Sequence, residues 1–347
     1  MIRKISRRHF LRALTFAGAA GAFAAQPVSS LAGAISQTAP VLTETRILMG
    51  TLVAVSVSDP SRARMEDALY AAFGHMETLI PFFDRHASDS VLSVLNGQGS
   101  LRDVPPELSA LLARTRAMSA LTRGAFNPTV QPLVDFFCSQ AVPDGRLNIP
   151  ESALNEVRAL LSPDGRSGWT ADSNGVRLER RGMGLTLDGI AKGRVADLVS
   201  RKLKQEGMVN HLINAGGDIV ASGEKAPGIP WQVAVSNPSS PHSGHFRHGR
   251  PFALKGKALA TSGSYEHYYD AEQKYNHIID AGTGISPVEM VSASVIAPDA
   301  TDADALATAF SVMPPRESLK LAATLPECEC LLISRGGRIF KSRGWPA

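Results

Sequence analysis

Cysteine is scarce in this chain of 347 residues, which contains three. Cys138, Cys328 and Cys330 are too few and too scattered to build a disulfide framework or a zinc site. Cys328 and Cys330 stand two apart on a predicted strand, so their side chains would face the same way. This spacing favours an inert buried thiol or a strained pair over a catalytic cysteine.

The chain also lacks an excess of positive charge once its first segment is set aside. Its formal net charge is +4, but residues 1–34 carry five Lys and Arg and no Asp or Glu, so the remainder is at about −1. No basic patch of the kind that binds nucleic acid stands out there. Long apolar runs are missing as well. We therefore predict no nucleic-acid partner and no stable membrane insertion of the mature chain.

Residues 1–34 have the features of a bacterial export signal. Basic residues precede a weakly apolar run over 13–25, and Ala32-Gly33-Ala34 is a small-residue cleavage site. The hexapeptide S-R-R-H-F-L at 6–11 is close to the twin-arginine pattern S-R-R-x-F-L. The alternative is a basic amphipathic N-terminal helix. We predict a twin-arginine (Tat) signal peptide over 1–34, one domain over 35–347 and a periplasmic location.

Strands and helices are predicted to mix without strict βαβ alternation, which indicates the α+β class. Alternating and β-branched segments predict strands at 46–58, 169–178, 184–187, 211–222 (two strands with a glycine turn), 231–235, 259–271, 275–279, 291–297 and 330–334. Helical spacing predicts helices at 65–80 (ending before Pro81), 106–122, 150–161, 190–206 and 319–325, with one more after 297. We expect mixed or antiparallel sheets with flanking helices in a single globular unit.

A polar cluster lies near the C-terminal end, within 275–313. Asp304 and Thr308 are four residues apart on a predicted helix, so both oxygens project from one face. Hard oxygen ligands suit Mg²⁺, which proteins usually hold with few groups plus substrate phosphates. The alternative is that Asp304 complements the helix dipole and Thr308 bonds back to a helix carbonyl. As a ligand, Asp304 is expected to face the surface, so that Asp304→Ala would leave the fold intact.

The segment 185–193 runs from a predicted strand through a glycine turn into a helix. Backbone N–H groups at that helix start, together with Lys192, could receive a phosphate. No P-loop pattern is present, and an ordinary strand-to-helix turn is the alternative. His277 is a candidate proton acceptor, with a hydrogen-bonded structural histidine as the alternative. The segment 214–218 is interpreted as a structural turn, and a Ser-His-Asp triad is poorly supported because no G-x-S-x-G elbow occurs.

Seven short motifs occur in order along the chain, and together they resemble the ApbE family, the FAD:protein FMN transferases. They are M-G-T at 49–51, A-F-N-P-T-V at 125–130, G-I-A-K-G at 189–193, N-A-G-G-D at 214–218, A-T-S-G at 260–263, H-I-I-D-A-G-T-G at 277–284 and D-A-L-A-T at 304–308. Each motif is weak alone, and the resemblance rests on their order and spacing over 46–334. It implies an ApbE-like, T-fold-related domain.

The resemblance also implies a reaction. The family uses Mg²⁺ to cleave the pyrophosphate of FAD and transfers FMN to a Thr or Ser hydroxyl of a partner flavoprotein, making a phosphoester. By this resemblance, the Gly189 carbonyl and the side chains of Asp304 and Thr308 hold the metal. His277 activates the acceptor hydroxyl, and Asp280 orders the turn or the water shell of the metal. The residues implied to contact FAD are Met49, His86, Ala125, Phe126, Asn127, Thr186, Lys192 and Ile278, and Lys192 also neutralises charge on the pyrophosphate.

Three positions depart from the usual pattern of the family. Thr186 stands where an Asp that contacts FAD often occurs, Asn127 replaces the Asp of A-F-D-P-T, and His86 falls where a Tyr often packs near the flavin. Each change loses or moves a polar contact. Two alternatives therefore stay open: an FAD-binding accessory protein without transfer activity, or a pyrophosphatase that releases FMN and AMP. An export signal with this domain also resembles the NosX accessory proteins of nitrous oxide respiration, which implies a NosR-like acceptor.

Overall fold

The protein is described here from a computed structural model, which covers residues 40–142, 145–172, 174–236 and 251–346. The predicted signal peptide lies outside the described residues and stays a prediction. Within the four described ranges, no helix is long and apolar enough to cross a membrane.

The centre of the fold is one antiparallel sheet. Its eight strands are β1 (Val41–Leu48), β2 (Thr51–Ser58), β6 (His211–Ala215), β7 (Asp218–Ser222), β10 (Ala258–Gly263), β11 (Met290–Ala297), β12 (Glu329–Ser334) and β13 (Ile339–Lys341), which are neighbours in that order. A second sheet joins β3 (Ser100–Leu101), β5 (Gly175–Leu178) and β4 (Trp169–Asp172), and β8 (Gln232–Val233) pairs with β9 (Phe252–Ala253). The antiparallel pairing confirms the predicted α+β class.

Eight helices are present in the described ranges. They are α1 (Arg62–Phe83), α2 (Val91–Gln98), α3 (Pro106–Leu121), α4 (Gln131–Gln140), α5 (Glu151–Arg158), α6 (Ala191–Gln205), α7 (Ala300–Val312) and α8 (Pro315–Ala322), with a 3₁₀ turn at Pro128–Val130. Helices α1, α6 and α7 cover one face of the main sheet, where Phe73, Val199 and Phe310 join a single core. A second cluster around Trp231 covers the other face, and Phe137 of α4 packs in a third cluster with Ile279.

The prediction of one strand over 46–58 is wrong. Met49 and Gly50 both have positive φ, 51° and 71°, and they form the two-residue turn of the β1–β2 hairpin. Such turns match the right-handed twist of the paired strands, but Met is an unusual residue in this conformation, so the pattern gave no turn signal. The helix predicted to end before Pro81 also continues, to Phe83, with the proline inside its last turn. Pro81 removes one backbone donor, but the helix still closes with the Asp84 amide donating to the Ile80 carbonyl oxygen.

Several predicted strands are loops instead. Strand β10 ends at Gly263, and the segments 184–187 and 275–279 belong to neither helix nor strand. Side chains take hydrogen bonds that a strand would make to its neighbour: Asp270 Oδ1 accepts from the amides of Lys274 and Tyr275, and Ser286 Oγ accepts from the Asn276 amide. Asp, Asn and Ser commonly stabilise irregular backbone in this way. These loops carry many of the candidate site residues.

All three cysteines are free thiols. Cys138 is exposed, whereas Cys328 and Cys330 are buried, and burial raises the pKa of both thiols to about 12. A thiol with so high a pKa carries almost no thiolate at neutral pH and is a poor nucleophile. The structure therefore favours the inert buried thiol over the strained pair.

The buried side chain of His211 makes the free energy of unfolding depend on pH. The imidazole is fully buried, with Nε2 2.8 Å from Ser200 Oγ and Nδ1 2.8 Å from the Met208 carbonyl oxygen, and burial lowers its pKa to about 4. The unfolded chain takes up this proton near pH 6.5, so stability should fall as pH drops from about 6.5 towards 4, by on the order of 3 kcal/mol. Urea unfolding at several pH values measures this slope. His211→Gln should flatten it, and an unchanged slope in that variant would assign the acid sensitivity to other groups.

Candidate active site

Helices α6 and α7 touch through their backbones at Gly193. A Cβ at that position would lie 2.1 Å from the Ala300 carbonyl oxygen, so only glycine fits. This approach lets the Gly193 amide donate to Asp304 Oδ2 at 3.1 Å. Asp304 is 2% exposed as a result, and the expectation of a surface-facing carboxylate is wrong. The sequence could not show this burial, because it depends on two helices distant in the chain packing at one glycine.

The start of helix α7 has its own acidic residues. Asp299 caps the helix by accepting from the Asp302 amide, and Asp302 pairs with Arg114. Helix-dipole and capping roles therefore belong to Asp299 and Asp302. Asp304 lies further along the helix, and its carboxylate is therefore available for another role.

Thr308 lies against the turn that precedes helix α6. A Cβ on Gly189 would be 2.6 Å from Thr308 Oγ1, and Ser262 Oγ of β10 is 3.3 Å from the same hydroxyl. Because the Gly193 amide binds Asp304, it does not close the first helical turn onto the Gly189 carbonyl, and no other described N–H donates to that oxygen. The Gly189 carbonyl, the Asp304 carboxylate and the Thr308 hydroxyl are thus three oxygen donors in one small region.

This donor set fits a hard divalent cation. No group of three His, Cys, Asp or Glu side chains among the described residues could hold a metal, so a metal here would rely on carbonyl and hydroxyl oxygens as well as a carboxylate. Mg²⁺ accepts such ligands and usually keeps several waters or substrate oxygens. The combination of one carboxylate, one released carbonyl and one hydroxyl matches that preference.

Lys192 lies between two buried carboxylates. Its Nζ is 3.2 Å from Asp218 Oδ2 and 4.0 Å from Asp304 Oδ1, and it donates to the Asp188 carbonyl oxygen at 3.3 Å. Burial disfavours its charge, but Asp218 and Asp304 outweigh that effect and raise the Lys192 pKa, so the ammonium stays protonated. Burial and the Asp218 charge raise the pKa of Asp304. Two carboxylates thus share one cation, and a second positive charge would stabilise them both.

Asp218 is a candidate site residue that the sequence reasoning missed. The motif predicts a structural turn that ends at Asp218, whereas the structure places its side chain, 2% exposed, beside Lys192. One sequence signal could have found it: Asp218 opens the apolar run I-V-A, which is typical of a buried strand, and a carboxylate in a buried strand requires a charged partner.

His277 is half-buried and lies close enough to Lys192 and Asp188 for their charges to affect its pKa. Its backbone amide donates to the His267 carbonyl oxygen at 3.0 Å, and its Nδ1 is 3.1 Å from the same oxygen. A proton on Nδ1 would be donated to that carbonyl, which leaves Nε2 with its lone pair free. Burial, followed by the nearby His267 ring, lowers the His277 pKa to about 4. The imidazole is therefore neutral at neutral pH and able to accept a proton.

Asp280 has a structural role in the turn after His277. Oδ1 accepts from the Gly282 amide at 2.9 Å, and Oδ2 accepts from Thr283 Oγ1 at 3.0 Å. With both oxygens engaged, the carboxylate orders this turn, which was one of its two predicted roles. Its expected part in catalysis, through the water shell of the metal, stays a prediction.

The residues implied to contact FAD differ in accessibility. His86 is exposed, Met49 and Ala125 are partly exposed, and the buried ones are Phe126, Asn127, Thr186 and Ile278. Two contacts connect the loops that carry them. The Met49 turn meets the β6–β7 turn, where a Cβ on Gly216 would touch Thr51, and the Thr186 amide donates to the Pro128 carbonyl oxygen. Burial, followed by the charge of Lys192, lowers the pKa of His267.

The side chain of Asn127 makes hydrogen bonds that connect two loops of the protein. Its Oδ1 accepts from the Thr129 amide and hydroxyl, and its Nδ2 donates to the Ser162 carbonyl oxygen at 2.7 Å. An aspartate could not make this last bond, because a carboxylate has no donor. The expected contact between Asn127 and FAD stays a prediction, and the structure shows that this side chain already makes three hydrogen bonds within the protein.

The central antiparallel sheet and its flanking helices have the α+β fold of flavin transferases, as two solved structures show. Flavin transferase ApbE from Vibrio cholerae superposes with a TM-score of 0.75 at 25% identity, covering 88% of this chain and 98% of that one. The ApbE protein from Thermotoga maritima also gives 0.75, at 27% identity, covering 88% and 97%.

Sequence comparison gives the same result. Residues 49–332 match the ApbE family. The FAD:protein FMN transferase of Treponema pallidum (strain Nichols) is 31% identical over 321 residues, 86% of each chain, and that of Escherichia coli (strain K12) is 28% identical over 268 residues, 74% of each. The chain belongs to the ApbE family.

Proposed function

We propose that this protein is a Mg²⁺-dependent FAD:protein FMN transferase that attaches FMN to a Thr or Ser of an exported or membrane flavoprotein. The observation that carries the proposal is the meeting of the Gly189, Asp304 and Thr308 oxygens beside the protonated Lys192. Phosphoryl transfer needs positioning and charge neutralisation more than covalent help from the protein. Membership of a family whose relatives carry this name supports it as well.

In the proposed reaction the acceptor hydroxyl oxygen forms a bond to the phosphorus of the FMN half, the bond from that phosphorus to the bridging oxygen breaks, and AMP leaves. Gly189, Asp304 and Thr308 would hold Mg²⁺, which when bound neutralises charge on the pyrophosphate. Lys192 provides a fixed positive charge beside it. His277 accepts the hydroxyl proton at Nε2, while the His267 carbonyl oxygen fixes its orientation through Nδ1.

The alternatives separate in one assay. Purified protein is incubated with FAD, Mg²⁺ and a peptide carrying an S/T-G-A-T-like acceptor site. Flavin fluorescence that stays on the denatured peptide supports transfer. Tight FAD binding without labelled peptide would instead identify an accessory flavin-binding protein, and AMP release that is independent of the peptide would identify a pyrophosphatase.

The proposed location is the periplasm, with a NosR-like flavoprotein as acceptor. The motif at residues 6–11 supports export, and the acceptor is inferred from the resemblance to NosX proteins. Replacing Arg7 and Arg8 by lysine should retain the chain in the cytoplasm and leave the acceptor without covalent flavin in cells. Normal export of that variant would remove the twin-arginine part of the proposal.

A pH profile tests the role of His277. Because its pKa is lowered to about 4, the neutral form persists well below the ordinary histidine range. We expect kcat/KM, corrected for the folded fraction, to hold through pH 6.5 and to fall only towards pH 4. His277→Gln should lower the rate by about 10²- to 10⁴-fold. A loss of activity centred near pH 6.5 would show that another group accepts the proton.

A further inference from the structure

The loop after helix α1, which carries Arg85, is held by hydrogen bonds to its own residues. Asp84 ends the helix, its amide donating to the Ile80 carbonyl oxygen at 3.0 Å, and its Oδ1 accepts from the His86 amide at 2.7 Å. The main-chain oxygen of Asp84 also accepts from Ser90 Oγ. These hydrogen bonds fix the backbone of the loop on both sides of Arg85.

Arg85 pairs with Asp188, which lies on a distant segment of the chain. Its Nε lies 2.5 Å from Asp188 Oδ2, while Nη1 is 3.5 Å from Asp135 Oδ1. The Arg85 side chain is 13% exposed, whereas those of Asp188 and Asp135 are 45% and 63% exposed. A guanidinium nitrogen at this distance from a carboxylate oxygen makes a charge-assisted hydrogen bond, so the contact between Arg85 and Asp188 is an ion pair.

Asp188 is connected to the site through its backbone. Its amide donates to Thr186 Oγ1 at 3.2 Å, and its carbonyl oxygen accepts from Lys192 Nζ at 3.3 Å. Gly189, whose carbonyl oxygen belongs to the metal donor set, is the next residue. A shift of Asp188 would thus move the anchor of the Lys192 ammonium and the direction of the Gly189 carbonyl together.

We propose that Arg85 and Asp188 are positioning residues: their ion pair joins the His86 loop to the 186–192 turn and holds the Gly189 carbonyl and Lys192 in the geometry that binds the cation and the pyrophosphate. The inference rests on the proposed function. Arg85 contacts neither the metal donors nor Lys192 in the structure, so its effect passes through Asp188. Mispositioned groups around a metal site typically cost 10- to 100-fold in metal affinity.

The test is a cycle of three variants, Arg85→Gln, Asp188→Asn and the pair combined, read by Mg²⁺ titration calorimetry at saturating FAD. Each single variant is expected to weaken Mg²⁺ binding about tenfold, and the double variant no further, because either change breaks the same contact. Arg85→Lys should recover part of the loss. Asp135→Asn is the matched control, and it should leave Mg²⁺ binding unchanged because its contact with Arg85 is longer and exposed.

Two outcomes would overturn the proposal. If Arg85→Gln weakened binding of FAD or Mg²⁺ while Asp188→Asn did not, Arg85 would act directly on the ligand and not through Asp188. If both variants lowered only the melting temperature and left Mg²⁺ binding intact, the ion pair would be structural. Mg²⁺ binding is measured without an acceptor peptide. If the wild-type protein failed to label a peptide, that failure would count against the proposed function, and the binding measurements would still decide whether Arg85 acts through Asp188.

Discussion

Asp304→Asn should lower Mg²⁺-dependent transfer at least about a hundredfold while the protein stays folded. The amide keeps the shape of the carboxylate, and its oxygen can still accept from the Gly193 amide. It removes the negative charge from the donor set, and a metal ion supplies several kcal/mol of charge stabilisation, where each 1.36 kcal/mol is tenfold in rate. Asp304→Ala is a poorer test, because a buried Gly193 N–H would lose its acceptor.

Asp302→Asn on the same helix is the matched control for this experiment. Asp302 pairs with Arg114 and is not one of the three oxygen donors, so the substitution is expected to cost some stability and to leave the metal site unchanged. It should retain full activity. Rates are measured over a Mg²⁺ titration with the fold monitored by circular dichroism. Wild-type rates in Asp304→Asn at every Mg²⁺ concentration would remove Asp304 from the metal site.

Lys192→Met should abolish transfer and also destabilise the fold. The variant leaves Asp218 and Asp304, both 2% exposed, without their shared cation. Breaking a buried ion pair costs about 3–5 kcal/mol, and the 29% exposure of the lysine reduces this to roughly 1–3 kcal/mol. One carboxylate should take up a proton near neutral pH, so the variant should regain stability as the pH falls through that region.

Lys202→Met is the control, since this lysine lies on the same helix and pairs only with Glu206 at the surface. Chemical denaturation at pH 6 and pH 8 gives the free energy of unfolding of each variant. Equal stability and activity for the two variants would mean that Lys192 neither balances the carboxylates nor assists the reaction.

The sequence motifs located much of the candidate site. Gly189, Thr308, Asp304 and Lys192 come from two segments more than a hundred residues apart, and the structure brings them into contact. The motifs identified these residues because the chemistry of the site requires particular residue types at particular spacings. The α+β class was predictable for a similar reason, since strand and helix patterns did not alternate.

What the sequence could not predict depends on packing between distant elements. The burial of Asp304 follows from the absence of a side chain at Gly193, and the role of Asp218 follows from the reach of Lys192. Loops predicted as strands failed for a local reason, because side chains of Asp270 and Ser286 take the backbone hydrogen bonds. Periodicity reports exposure along one element, so it reveals neither the contacts between distant elements nor the side-chain hydrogen bonds that shape these loops.

The most direct test of the account counts both products of one reaction. AMP and flavin-labelled acceptor peptide are quantified together, by chromatography and peptide mass spectrometry, with wild-type protein and FAD in the presence of Mg²⁺ or EDTA. We predict one AMP per labelled peptide, a single modified Thr or Ser hydroxyl, and neither product with EDTA. AMP in excess of labelled peptide, or labelling that persists in EDTA, would contradict a Mg²⁺-dependent transferase.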